Sequence, residues 1–350
     1  MTDIARRKSE HLELCASRDV EATGTTLLEQ VRFLHEALPE LSLDEVDPSC
    51  ELLGRRLHAP VLISGMTGGT PEAGALNRAL ATAAQKLGLG MGVGSQRAML
   101  VDPACAETYR VRDVAPDVLL LANVGAVQAR ESGLERVAGL VEAIGADALC
   151  VHLNAAQELV QDEGDRDFRG CLATLAELAR ELPVPVVAKE TGCGFAPTTL
   201  ARLRAAGVRV VDVSGAGGTT WPGVEALRGS RRQRALGTAL REWGIPTAPA
   251  VVYARRAGLL PIASGGVRTA RDVLAALSLG AVAASLALPF LRAYAERGQA
   301  GILDAAQELT EAIRALLVLT GTRRLSELAA APRVLGPELR SWLEVAVSEC

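Results

Sequence analysis

The densest group of side chains capable of chemistry lies in one heptapeptide. Directly after the largely apolar run 146–151, positions 152–158 carry an imidazole, two amides and a carboxylate, on His152, Asn154, Gln157 and Glu158. Burying such groups without partners is costly, so the cluster requires water, a metal or a ligand beside it. Glu158 is a candidate general base or metal ligand, because one carboxylate together with phosphate oxygens suits Mg²⁺. His152 taken alone is more often a satisfied core histidine, and its polar neighbours make it a candidate catalytic group.

Glycine-rich and basic residues follow several other apolar runs. Glycine lets backbone N–H groups approach phosphate oxygens, so the segment 264–266, Ser-Gly-Gly, is a phosphate-binding candidate that Ala287 and Leu288 would complete. The alternative interpretation of this segment is a turn that leads into a helix. Residues 217–219 are a second candidate anion contact, with the same alternative. Lys189 is predicted either to contact a ligand or to form an ion pair with Glu190 or Asp212. The guanidinium of Arg97 suits phosphate, although most single arginines are surface residues.

The elements that position these residues form a repeating pattern. Eight short aliphatic runs recur, and most neighbours lie about 25–35 residues apart, the length of a strand plus a crossover helix. The runs are 60–64, 89–94, 118–123, 148–152, 184–189, 208–213, 260–263 and 282–286. Between them lie segments of helical character: 74–87, 134–144, 171–181, 198–206 and 270–279. Eight alternating units predict an α/β fold, a (β/α)₈ TIM barrel, with a doubly wound open sheet as the alternative.

The same pattern predicts the domain organisation. Residues 1–59 form an N-terminal extension, residues 60–300 the barrel, and residues 301–350 a C-terminal helical segment that packs on it. The connection 214–246 is far longer than a usual strand-to-helix loop, and loops of that length are commonly functional lids. It also carries four arginines, most simply a solvated basic face: Arg228, Arg231, Arg232 and Arg234.

Composition limits the possible partners. The 350 residues are 49% hydrophobic and 22% charged with a net charge of −4, which indicates a globular protein and argues against nucleic acid as the main partner. The longest nearly apolar run, 280–291, is too short to span a bilayer, so no membrane partner is expected. Seven scattered cysteines without a Cys-x-x-Cys pair indicate reduced thiols and a cytoplasmic protein.

Taken together, these motifs resemble the type 2 isopentenyl-diphosphate isomerase family, flavoenzymes on a (β/α)₈ barrel. The resemblance covers most of the chain in the same order. It rests on Arg7-Lys8-x-x-His11, Met66-Thr67-Gly68-Gly69, Gly94-Ser95-Gln96-Arg97, His152-Leu153-Asn154-x-x-Gln157-Glu158, Lys189-Glu190-x-Gly192, Gly215-Ala216-Gly217-Gly218-Thr219, Gly244-Ile245-Pro246-Thr247 and Ser264-Gly265-Gly266.

The resemblance implies an isomerase of isoprenoid biosynthesis that interconverts isopentenyl and dimethylallyl diphosphate. It implies reduced FMN, regenerated by NADPH, together with Mg²⁺, and a homotetramer whose N-terminal extension contributes to the substrate site. The positions that match FMN contacts are Met66, Thr67, Gly68, Ser95, Asn123, Lys189, Ser214, Thr219, Gly265, Gly266, Val267, Ala287 and Leu288. Those that match prenyl-diphosphate contacts are Arg7, Lys8, Ser95, Arg97 and Gln157, and Glu158 matches the metal ligand. His152 and Gln157 are the expected catalytic residues, with Gln157 orienting the alkene.

One departure from the family pattern lies inside the opening cluster. The family commonly has Pro-Leu where Ala155 and Ala156 stand here, which frees the backbone and removes bulk. The pair leaves room for a different or longer prenyl substrate. One alternative function is an FMN-dependent 2-hydroxy-acid oxidase or dehydrogenase, which needs a histidine base that no residue after the sixth or seventh strand supplies. The other is a non-catalytic flavin- or prenyl-diphosphate-binding barrel, which only the alanine pair favours.

Overall fold

Eight parallel strands close into a barrel in the computed structural model, which describes residues 3–345. The barrel strands are β4 (Val61–Ile63), β5 (Gly90–Gly92), β6 (Leu120–Gly125), β7 (Ala148–Leu153), β8 (Val186–Glu190), β9 (Val210–Asp212), β10 (Leu260–Ala263) and β11 (Ala283–Leu286). They are hydrogen-bonded in chain order, and β11 returns to pair with β4. The predicted (β/α)₈ barrel is therefore confirmed, and closure excludes the open doubly wound sheet.

The helices within the described residues are α1 (Asp3–Ser17), α2 (Pro71–Leu87), α3 (Arg97–Val101), α4 (Ala126–Ile144), α5 (Ala155–Val160), α6 (Cys171–Glu181), α7 (Pro197–Ala205), α8 (Trp221–Arg228), α9 (Arg231–Ala239), α10 (Thr247–Arg256), α11 (Ala270–Ser278), α12 (Leu288–Leu319) and α13 (Pro337–Leu343). The five helical segments predicted between the strands fall on α2, α4, α6, α7 and α11. No helix within residues 3–345 is both long and apolar enough to cross a membrane.

The strands read as unbroken apolar runs because both of their faces are buried. Leu149 and Val151 of β7 pack outward against the helices, whereas Ala148 and Cys150 point into the barrel with Leu62 of β4. Successive side chains of a strand alternate between its two faces, so a strand covered on both sides needs apolar residues at every position. The barrel interior is thus filled by side chains, and a ligand site has to lie at one of its ends.

The N-terminal extension and the C-terminal segment are joined to each other. Strand β1 (Val31–Phe33) pairs antiparallel with β12 (Arg333–Leu335), outside the barrel, and a hairpin of β2 (Cys50–Leu52) and β3 (Arg55–Leu57) precedes β4. Helix α12 runs through positions 300 and 301, where the sequence places a boundary, and its backbone is non-helical at Arg297 and Gly298. The N-terminal helix α1 packs on α8 and α12.

The long connection after β9 is folded. It contains α8 and α9 rather than a structureless loop. Arg231, Arg232 and Arg234 are exposed as expected, but the prediction of a solvated side chain is wrong for Arg228. Its side chain is 19% exposed and pairs with Glu225 of the same helix and, because α1 lies against α8, with Glu10. The six cysteines within the described residues are free thiols, and Cys350 lies outside that range.

Candidate active site

A cavity of about 240 Å³ lies at the end of the barrel where the strands finish, and α1 covers one side of it. Every predicted site residue lines this cavity except Gly68 and Val267. A side chain at Gly68 would overlap the Tyr109 ring, and Val267 is fully buried, so these two positions lie behind the lining. The predicted residues in the lining are Arg7, Lys8, Met66, Thr67, Ser95, Arg97, Asn123, His152, Gln157, Glu158, Lys189, Ser214, Thr219, Gly265, Gly266, Ala287 and Leu288.

Helix α5 presents one polar face to the cavity. Asn154 precedes its first turn, and Gln157, Glu158 and Gln161 follow at i+3, i+4 and i+7, the spacing that places side chains on one face. The Asn154 amide donates to Gln157 Oε1 at 3.3 Å and to Glu158 Oε1 at 2.8 Å. Asn154 therefore fixes the relative placement of the amide and the carboxylate.

Glu158 is buried and oriented. It is 5% exposed, and its Oε2 accepts the backbone N–H of Asp165 at 2.8 Å. Each carboxylate oxygen has two lone pairs, so these two hydrogen bonds leave acceptor capacity on both. Within the described part of the chain, no group of three or more His, Cys, Asp or Glu side chains could hold a metal. A cation at Glu158 would need most of its ligands from a bound phosphate and water, as Mg²⁺ commonly does.

Glu225 is the main polar group that the sequence reading missed. Its side chain is fully buried on α8, and its Oε1 accepts hydrogen bonds from Gln157 Nε2 at 2.9 Å and Gln161 Nε2 at 2.7 Å. His11 Nε2 lies 2.8 Å from the same oxygen, and Arg228 Nη1 donates to Oε2 at 2.9 Å. Burial alone raises the pKa of Glu225, but the bonds from His11 and Gln157 and the charge of Arg228 outweigh it and lower the pKa to about 2. Only the unusual length of the connection pointed to this region.

We expect Glu225→Gln to lower kcat about 10- to 100-fold with FMN binding retained, because a neutral amide oxygen accepts more weakly than a carboxylate from Gln157 and Gln161, and the amide NH₂ group would face Arg228. It also leaves Arg228 without its buried anion, which costs about 3 kcal/mol of unfolding free energy at neutral pH. The wild-type pKa is depressed, so this stabilisation is present above about pH 4.3 and is lost as the pH falls toward 2. Urea unfolding of both proteins at pH 7 and pH 3 measures it, and an equal difference at the two pH values would contradict the assignment.

His152 is held as a neutral imidazole. Its Nδ1 lies 2.8 Å from Asn123 Oδ1, and an amide oxygen can only accept, so the proton sits on Nδ1 and Nε2 is left as an acceptor. Burial, and after it the positive charges of Lys189, Lys8 and Arg97, lower the pKa of His152 to about 4.

The ring resonances of His152 are therefore expected to titrate in NMR with a midpoint near pH 4. Because this pKa is below the ordinary value of about 6.5, protonation favours the unfolded chain, and the protein loses stability as the pH falls from about 6.5 toward 4. A His152→Gln variant assigns the resonance. A midpoint near 6.5 in the wild type would show that the ring is solvated.

One end of the cavity is cationic. Helix α1 brings Arg7 and Lys8 to the lining: Arg7 Nη1 donates to Gln161 Oε1 at 3.0 Å, and Lys8 Nζ donates to the carbonyl of Ser95 at 2.7 Å. Burial, with Arg7 nearby, lowers the pKa of Lys8 to about 7. The pKa of Arg7 is lowered mainly by its burial and, next, by the positive charge of Arg97. These three like charges repel one another, so binding of an anion between them would be favourable.

The other end is built from closely packed glycine loops. Gly265 and Gly266 have φ of +86° and +71°, a region that favours glycine, and a Cβ on Gly265 would lie 2.1 Å from the carbonyl oxygen of Gly215. The amino terminus of the long helix α12 reaches the cavity at Ala287 and Leu288. Close backbone approach and a helix amino terminus together suit a phosphate.

A buried hydroxyl supports the presence of a ligand at this mouth. Thr67 is 2% exposed and lines the cavity, yet its Oγ1 has no hydrogen-bond partner among the described residues. Buried polar atoms are almost always paired, so this one is positioned for a bound group. The loops, the helix terminus and this hydroxyl fit a flavin mononucleotide.

Lys189 forms one of the two predicted ion pairs. Its Nζ lies 3.0 Å from Asp212 Oδ2, while the carboxylate of Glu190 turns to the next loop and accepts backbone N–H groups of Thr191 at 2.6 Å and Gly192 at 2.8 Å. Lys189 also lines the cavity, so the ion pair and a ligand contact are compatible.

The two alanines do not enlarge the site. Ala155 is exposed and Ala156 is half-buried at the start of α5, and neither lines the cavity. Their helical phase turns them away from the face that carries Gln157 and Glu158. The expectation that they make room for a longer substrate is therefore wrong. They also give no support to the alternative of a non-catalytic binding barrel.

Known proteins resemble this chain at two levels. A family model described as FMN-dependent dehydrogenase matches residues 152–334. A protein of Thermococcus onnurineus is 45% identical over 348 residues, covering 97% of this chain and 93% of that protein. A protein of Halobacterium salinarum is 45% identical over 350 residues, covering 98% of this chain and 97% of that protein. Both bear the name isopentenyl-diphosphate delta-isomerase.

Solved structures share the fold at low identity. A flavocytochrome b2 variant superposes with a TM-score of 0.66 at 20% identity, covering 99% of this chain and 88% of that one. A mandelate oxidase variant superposes with a TM-score of 0.63 at 19% identity, covering 95% and 96%. At these identities the likeness concerns the barrel architecture alone.

Proposed function

The chain belongs to the FMN-dependent, type 2 isopentenyl-diphosphate delta-isomerase family, and on that premise we propose that it interconverts isopentenyl and dimethylallyl diphosphate with reduced FMN. The observation that carries the proposal is the meeting of three features in one cavity. A cationic end contains Arg7, Lys8 and Arg97, a glycine-rich end suits a phosphate, and the polar face of α5 lies in the same lining.

The residues that would hold FMN are those of the glycine-rich end and its surroundings. Gly265, Gly266 and the start of α12 would bind the phosphate, and Thr67 Oγ1 would donate to or accept from the flavin. When bound, reduced FMN supplies an electron-rich ring that stabilises positive charge developing on the alkene.

The chain's own residues orient the five-carbon substrate. Gln157 has its Nε2 directed to Glu225 and its Oε1 to Asn154, so the amide stands in one orientation toward the cavity. We propose that it holds the alkene, and that the unprotonated Nε2 of His152 accepts a hydrogen bond beside it. Leu12, Trp221 and Leu291 line the same cavity and exclude water, which strengthens these polar interactions.

The diphosphate would lie at the cationic end. Arg7, Lys8 and Arg97 would neutralise part of its charge, and Glu158 would hold a Mg²⁺ ion, which would supply further positive charge there. Ser95 lines this end as well, where its carbonyl orients Lys8. We propose the corresponding division of the chain. Residues 1–59 are an extension that contributes Arg7 and Lys8 to the substrate site, residues 60–300 are the barrel that binds FMN, and residues 301–350 are a C-terminal helical segment that packs on the barrel.

One experiment tests the function. The purified protein should show the absorption bands of oxidised FMN. After addition of dithionite, Mg²⁺ and isopentenyl diphosphate, NMR should then show dimethylallyl diphosphate. A colourless protein that does not take up FMN, or a reduced flavoprotein without product, would overturn the proposal. Turnover of a 2-hydroxy acid would instead support the oxidase alternative.

The remaining properties are proposed on family membership alone. They are NADPH as the reductant, a homotetramer and a cytoplasmic location. Stopped-flow reduction with NADPH against NADH and native mass spectrometry test the first two, and fractionation of the cells of origin tests the third.

A further inference from the structure

A buried carboxylate that the proposed chemistry does not use lies directly beneath the cavity. Asp212, the last residue of β9, is 5% exposed and stands opposite Lys189 of β8 in the strand register. Its Oδ2 lies 3.0 Å from Lys189 Nζ, and its Oδ1 accepts the hydroxyl of Ser264. Lys189 and Ser264 line the main cavity, whereas Asp212 lines only a small adjoining cavity of about 20 Å³, which Lys189 borders as well.

We propose that Asp212 is a positioning residue that sets the relative affinity of this site for reduced and oxidised FMN by balancing the charge of Lys189, an inference that rests on the proposed function. Asp212 acts through its neighbours, because Lys189 and Ser264 stand between it and the cavity.

The physical reason is charge balance in a region with little solvent. FMN takes up two electrons and, at neutral pH, one proton when it is reduced, so the ring system gains one negative charge. An unpaired lysine beside it would favour the reduced form strongly, since charges interact more strongly where water is excluded. The carboxylate of Asp212 offsets that charge and also holds the Nζ in one place.

The cost of the arrangement supports a role beyond packing. Burying two charges is expensive, and a buried ion pair is often no more stable than well-packed apolar residues. If Lys189 served only to bind an anionic ligand, the ligand itself would balance its charge and no buried carboxylate would be needed. With Asp212 beside it, the lysine adds no net charge at this point of the lining, so that oxidised FMN can bind first and be reduced in place.

The test measures redox preference rather than turnover. The midpoint potential of bound FMN, relative to free FMN, gives the ratio of the affinities for the two forms. We expect Asp212→Asn to raise the preference for reduced FMN at least tenfold, which is about 30 mV for a two-electron couple. Asp212→Glu keeps the charge and should stay close to wild type. The matched control is Asp147→Asn, which removes a carboxylate paired with Arg55 and Arg112 just before β7, at the far end of the barrel, and should leave the potential unchanged.

A second pair of variants covers failure of Asp212→Asn to fold. Lys189→Met leaves the carboxylate alone, and Lys189→Met with Asp212→Asn removes both charges. The preference for reduced FMN should be lowest in Lys189→Met and should return toward the wild-type value in the double variant. An unchanged or lowered preference in Asp212→Asn, or equal values in this second pair, overturns the inference. Absence of FMN from the wild type would instead contradict the proposed function.

Discussion

Replacement of Gln157 by alanine is expected to lower kcat for isomerisation by about 10²- to 10⁴-fold, the range associated with a positioned group at the reacting atoms. The amide is fixed by Glu225 on one side and Asn154 on the other, so its loss removes the contact to the alkene and the orientation together. FMN binding should persist, because the glycine loops are untouched. Product formation under anaerobic conditions and flavin content are the two measurements.

Gln161 provides a matched control for this variant. It lies one turn further along the chain on the same polar face and donates to the same oxygen of Glu225, at 2.7 Å. Its Oε1 contacts Arg7, so Gln161→Ala is expected to act mainly on KM for the diphosphate, with kcat reduced about tenfold or less. Equal loss of kcat in both variants would show that Gln157 acts only as a partner of Glu225.

Replacement of Glu158 by glutamine is expected to lower the affinity for Mg²⁺ by at least 10- to 100-fold and to lower kcat/KM at fixed Mg²⁺ by a similar factor. The substitution preserves the shape and the contact with Asn154 but removes the charge that a hard cation prefers. Steady-state rates against Mg²⁺ concentration measure the effect, and high Mg²⁺ should restore part of the rate.

Glu163→Gln is the control for Glu158. Glu163 is exposed in the segment that follows α5, so its loss changes the net charge equally without touching the cavity. Its Mg²⁺ dependence should match that of the wild type. A Glu158→Gln protein with full turnover and unchanged Mg²⁺ dependence would remove Glu158 from the metal site.

The sequence by itself determined the barrel and the end of the barrel at which the site lies. Strands covered on both faces need an unbroken apolar run, and this signal is local, so the eight strands were predicted to within a few residues. Parallel strands all finish at the same end, so polar residues in the last few positions of strands, such as Asn123, His152 and Lys189, had to converge there.

Only the tertiary structure decided which groups face one another. Glu225 meets Gln157 across 68 residues because α8 packs on α5, and no local pattern encodes that contact. The register of β8 against β9 selected Asp212 rather than Glu190 as the partner of Lys189. The phase of α5 turned Ala155 outward and Gln157 inward. Each outcome depends on the rotation or register of whole elements, which packing sets over the entire molecule.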